Sequence, residues 1–184
     1  MQDPARLYAY CIFCNTVKSD LDATVITQKY GYTAFSPKIV QRKWIKGKCF
    51  EEVKPYLPGY VFMYVEKPIT QFREINILDG VLRFLGQREN GFQLTGDDRR
   101  FADMLYLQGG VIGIVKTYKE GDRVRIAKDL MGGFEGEIIK LEKRKGRCLV
   151  QYNFDNNTCQ MWVGYDMIKD DMRPPKLGEE TEEK

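Results

Sequence analysis

PYLPGYVFMYV, residues 55–65, sets a turn directly before a strand. The Pro58-Gly59 pair marks the turn. Side chains alternate along a strand, so Val61, Met63 and Val65 point one way and Tyr60, Phe62 and Tyr64 the other. One face is aliphatic, the other aromatic. A strand with two apolar faces is sandwiched between layers or has one face awaiting a partner.

Upstream, LYAYCIFC (residues 7–14) is a short apolar run that reads as a buried strand. A helix is expected next, with Val17, Leu21 and Val25 at helical spacing. Asn15 or Ser19 is its expected cap, Ser19 with Asp22 resembling a capping box, and Gly31 is its stop. YTAFSPKIVQRKW is extended, and KGK at residues 46–48 marks a hairpin tip. Downstream come a short helix with Phe72 and Ile75 on one face, the strand GVLRFLG (residues 80–86), and a helix started by Thr95 with Asp98. Phe101 and Leu105 turn that helix inward, and Gly109 ends it. VIGIVKTYKEGD has no helical period and reads as a linker. Beyond Gly121 every element reads as a strand: DRVRIA, EGEIIKLE, RCLVQY and CQMWVGY. Short strands at this spacing suggest a small barrel. The expected fold is therefore α+β. An α/β sandwich of antiparallel sheet and flanking helices spans 1–108, a linker 109–119, a small SH3-like β-barrel 120–170, and an acidic, disordered tail 171–184.

The 184 residues are 43% hydrophobic and 30% charged, which fits a soluble globular protein. No apolar run spans a bilayer and no secretion signal opens the chain, so a cytoplasmic location is expected, with no membrane partner and a monomeric state. Five cysteines and no histidine argue against a disulfide framework, and remove the commonest general base and metal ligand. The chain does not read as an enzyme, and no cofactor or metal is expected. Cys11 and Cys14 have the spacing of a metal or redox pair, but zinc needs four ligands and the other cysteines are isolated. Small buried apolar residues are the better reading.

The net charge of +3 is too small to signal nucleic acid, so the distribution must. Lys140, Lys143, Arg144, Lys145 and Arg147 crowd one barrel turn, with no acid between residues 143 and 147. Clustered cations neutralise phosphates and release counterions, which makes this turn the stronger candidate. Lys38, Arg42, Lys43, Lys46 and Lys48 on the hairpin form a second group, which Glu51 and Glu52 partly offset.

Together these segments resemble the NusG family. PYLPGYVFMYV and GVLRFLG are similar to signatures of its amino-terminal (NGN) domain. GDRVRIAKDLMGGFEGEIIKL resembles its KOW motif, with Gly121, Val124, Ile126, Gly133, Gly136 and Ile138 at the motif's positions. The resemblance runs from Leu7 to about Lys169. It implies a transcription factor that binds the clamp helices of the largest RNA polymerase subunit. The polymerase-binding residues would be Cys11, Phe13, Leu57, Pro58, Gly59 and Tyr60, with Phe72 and Arg73 in the stretch that meets the gate loop in the RfaH branch. Leu57 replaces the usual Phe, and Gln71 to Glu74 replace a His-Thr-Thr-Thr run. The basic barrel turn makes the chain look most like the LoaP branch of antiterminators. In that reading Arg125, Lys128, Lys140, Lys143, Arg144, Lys145 and Arg147 would hold a nascent RNA hairpin, and non-template DNA is a further partner. The alternative is a housekeeping elongation factor whose barrel binds Rho or a ribosomal protein.

Overall fold

The computed structural model describes residues 2–15, 18–120, 123–126 and 137–167, with backbone only for 119, 120 and 123–126. An amino-terminal α/β part is followed by a carboxy-terminal β part. The central sheet has the order β2-β5-β1-β6, formed by β1 (Tyr8–Cys14), β2 (Thr33–Phe35), β5 (Tyr60–Val65) and β6 (Val81–Phe84). β1 and β5 pair antiparallel, with Tyr10 opposite Met63 and Phe13 opposite Tyr60. The turn before β5 closes with the Tyr60 N–H donating to the Leu57 carbonyl at 3.1 Å. Gly59 sits at φ +90°, which this turn requires of the residue after Pro58.

The aliphatic face of β5 is buried locally. Val61, Met63 and Val65 pack with Ile12, Ala23 and Ile26, the last two from α1 (Ser19–Tyr30). Phe72 and Ile75 of α2 (Phe72–Asn76) join the same cluster. α1 ends as expected at left-handed Gly31, but it does not use the expected face or cap. Ser19, Asp22, Ala23 and Ile26 are buried, while Leu21 is 60% exposed and Val25 37%. Its N-cap is Lys18, with no side-chain cap, and Val17 lies outside the described residues. Asp22 is drawn inward instead: it accepts from the Cys14 thiol and sits against Gly80, whose φ of +91° and missing Cβ leave it room. Burial pushes the Asp22 carboxyl up, and its Oδ2 has no hydrogen-bond partner among the described residues.

A second sheet, β4-β3-β7, carries the hairpin β3 (Lys38–Ile45) and β4 (Lys48–Pro55). Lys46 and Gly47 turn it, both at positive φ, as a two-residue hairpin of right-twisted strands demands. The stretch expected as a linker carries β7 (Val111–Ile112) and β8 (Val115–Glu120). β7 adds parallel to β3 and β8 parallel to the strand Asn157–Met167, because their β-branched residues find a sheet edge on either side. Among the described residues the β part is a five-stranded sheet, β10-β11-β12-β8-β9, with β9 (Arg123–Ile126), β10 (Glu137–Glu142), β11 (Arg147–Phe154) and β12 (Asn157–Met167). α3 (Gly96–Leu107) buries Phe101 and Leu105 as expected, but no Thr95 side-chain cap forms. No helix is long and apolar enough to cross a membrane among the described residues. Residues 171–184 and Gly121, Lys128, Gly133 and Gly136 fall outside the described residues.

Candidate partner-binding surface

The aromatic face of β5 is covered by the β part of the same chain. β11 alternates, so Cys148, Val150, Tyr152 and Phe154 all turn to one side and are buried. The Phe154 ring meets Tyr60 edge-on at 5.6 Å between centroids and lies 5.7 Å from Phe62. Phe101 of α3 stacks on Tyr152 at 4.8 Å and lies 5.1 Å from Phe154. Phe62, Phe101, Tyr152 and Phe154 thus belong to one continuous core shared by both parts.

Polar contacts rim this aromatic centre. The Tyr56 and Tyr152 hydroxyls share a hydrogen bond, and burial pushes the Tyr56 hydroxyl up to about 12. Arg42 donates to both Asp166 carboxylate oxygens, at 2.8 and 3.2 Å, and to the Tyr165 carbonyl at 3.1 Å. Its hydrogen bonds hold the Asp166 carboxyl below the usual carboxylate range. At the start of α3, Asp98 accepts from the Asp155 N–H at 2.7 Å. This contact takes the carboxylate that the sequence suggested as part of a helix cap. Burial is the main cause of the raised Asp98 carboxyl.

Of the residues expected to meet the polymerase, Phe13, Leu57 and Tyr60 come together beside this core. Phe13 and Tyr60 pack at 5.1 Å, and Arg83 caps the Phe13 ring at 5.8 Å. Pro58 is exposed and Gly59 buried in the turn. Cys11 is on the same side but has no exposed surface, so its place is in the core beneath the patch. Phe72 and Arg73 are not brought to the patch. Phe72 packs with Tyr10, Phe84 and Phe92 in the cluster behind the opposite face. Cys11 and Cys14 also fall on opposite faces, so the two sulfurs do not converge on one ion. Three residues apart on a strand means opposite sides, a signal already present in the spacing.

The barrel cations surround an acid. Glu142 pairs with Arg147 at 2.8 Å, Lys145 at 3.3 Å and Lys140 at 3.9 Å. The bond to Arg147 first, then that to Lys145, hold its carboxyl down. Arg147 and Lys140 also lie over the Trp162 ring, at 4.3 and 5.8 Å. Lys143 and Arg144, in a 3-10 turn (Lys143–Lys145), make no ion pair among the described residues. Arg125 lies in β9.

Phe154, Tyr152 and Asp166 went unrecognised in the sequence. For the two rings the signal was the pair of aromatics at the inward positions ending β11; Asp166 had none.

A protein-family model described as "Transcription termination factor nusG" matches residues 7–101, just over half of the chain. No curated protein matches. Among solved structures, the chain is similar to one described as "Domain interaction in Thermotoga maritima NusG". The TM-score is 0.50 at 14% identity, over 88% of this chain and 95% of that one.

Proposed function

Because the chain belongs to the NusG family of transcription factors, we propose that it engages RNA polymerase through the Tyr60 face of its central sheet. In this reading the docking helices are those of the polymerase clamp, and the factor promotes processive transcription. The carrying observation is the aromatic face itself. Tyr60, Phe62, Phe13 and Leu57 form an apolar surface large enough to need a cover, and its cover is a separate β module held by side-chain contacts. An aromatic centre with a polar rim is the anatomy of a protein interface. Tyr60 is its best single anchor, a rigid ring with a polar tip. Since the barrel occupies this surface, the factor binds after the barrel moves aside.

The barrel turn at Lys140–Arg147 is the proposed contact for a nascent RNA hairpin, read through its backbone. Glu142 favours a second reading, because it neutralises part of this cluster. There the barrel serves a protein such as Rho or a ribosomal protein. A gel shift with a stem-loop RNA separates the two.

The test of the main reading is co-elution with core RNA polymerase. Wild-type chain is expected to co-elute, and Tyr60→Ala to lose it while keeping its fold. Undiminished co-elution of Tyr60→Ala overturns the assignment.

A further inference from the structure

The β3–β4 hairpin is an exposed ribbon. All eight residues of β4 are exposed, and among the described residues β4 is the edge of its sheet, paired only with β3. Near its tip Trp44 is 53% and Phe50 49% exposed, with Lys43 directly opposite Phe50 and Lys46 in the turn. Flat rings left half in water gain by stacking, and every nucleobase offers a face.

The acids that offset this group in the sequence pair with hairpin cations away from the tip. Glu51 pairs with Arg42, which also binds Asp166. Glu52 pairs with Lys54. Among the described residues Lys43, Lys46 and Lys48 make no ion pair. By register Lys43, Lys48 and Phe50 share one face of the ribbon and Trp44 lies on the other, with Lys46 at the tip between them, an arrangement that suits a flexible polyanion that carries bases. A protein helix would meet the same rings but leave the lysines without partners unless it were strongly acidic.

We propose that this ribbon binds single-stranded RNA passing over its tip, with Trp44 and Phe50 stacking on bases from opposite faces and Lys43, Lys46 and Lys48 meeting phosphates. β3 runs beside the barrel's basic 3-10 turn: a side chain at Gly146 would lie 3.7 Å from Arg42. Unpaired nucleotides flanking a stem held at that turn would therefore reach the ribbon. The choice of RNA over DNA rests on the RNA reading of the barrel, and the experiment separates the two.

The experiment is fluorescence anisotropy on the full chain with three probes: a 12-nucleotide oligo-uridine, an oligo-deoxythymidine of equal length, and a stem-loop without single-stranded flanks. Lys43→Ala/Lys46→Ala/Lys48→Ala is expected to weaken oligo-uridine binding about tenfold or more at low salt. Its log–log salt slope should fall by about 2, three phosphate contacts at roughly 0.7 each. Trp44→Ala/Phe50→Ala is expected to weaken it about tenfold with the slope unchanged. Neither variant should alter stem-loop binding. Oligo-uridine binding untouched by both variants overturns the proposal, as does a loss confined to oligo-deoxythymidine. If the stem-loop fails to bind while ribbon-dependent oligo-uridine binding persists, the ribbon site stands and the barrel's RNA reading falls. All five side chains are at the surface, so an unchanged melting temperature certifies the variants.

Discussion

The two faces of β5 are covered differently. Val61, Met63 and Val65 meet α1 and α2, elements of the same part of the chain and close in sequence. Tyr60 and Phe62 meet Phe154, about ninety residues away, in a module ringed by hydrogen bonds and an ion pair. The first face is aliphatic and permanently closed by local packing. The second is aromatic, and its cover is a distant part of the chain held by ring contacts and a polar rim. One alternating strand thus carries a local core on one side and, on the other, the contact with a distant part of the chain that the proposed function requires to open.

Substitutions on each side should separate these roles. Ile12 is fully buried in the aliphatic cluster. Ile12→Ala is expected to cost about 3 kcal/mol of stability in chemical denaturation, leaving the barrel seated. Phe154→Ala is expected to remove a similar amount, but from the contact between modules. It should split thermal unfolding into two transitions and shift the amide resonances of Tyr60 and Phe62. Identical single transitions for both variants would make the two faces one core.

Arg42→Ala tests the rim with a smaller effect, about 1 kcal/mol, since Asp166 is largely exposed. Arg42 lowers the Asp166 carboxyl, so its contribution is present at neutral pH. It is lost as pH falls through that lowered value, and the wild type and variant should converge in acid.

The smallest effect belongs to the aliphatic side. Burial raises Asp22, so the charged carboxylate opposes folding above its raised value and not below the unfolded one. Asp22→Asn is expected to stabilise slightly at pH 8 and to be neutral at pH 4 in urea titrations.

Much of this was legible in short stretches such as residues 55–65. The alternation of β5, the turn at Pro58-Gly59, the hairpin tip at Lys46-Gly47 and the barrel strands follow from local pattern, and local pattern is what a sequence displays. The face of α1 was not legible, because its apolar residues are spread around the helix and tertiary packing chose Ala23 and Ile26 over Leu21 and Val25. The cationic groups show the same limit. Counting charges favoured the barrel turn over the hairpin. Folding places Glu142 among three of the barrel cations and turns Glu51 and Glu52 to Arg42 and Lys54. Pairings such as Arg42 with Asp166, 124 residues apart, leave no trace in spacing.

The most direct measurement is the affinity of core RNA polymerase for the full chain and for Phe154→Ala. A covered face predicts tighter binding by the variant, about tenfold or more, since less binding energy is spent on opening. Adding Tyr60→Ala should abolish that gain. Equal affinity of wild type and Phe154→Ala, with Tyr60→Ala without effect in either, would contradict the claim that the barrel covers the polymerase-binding face.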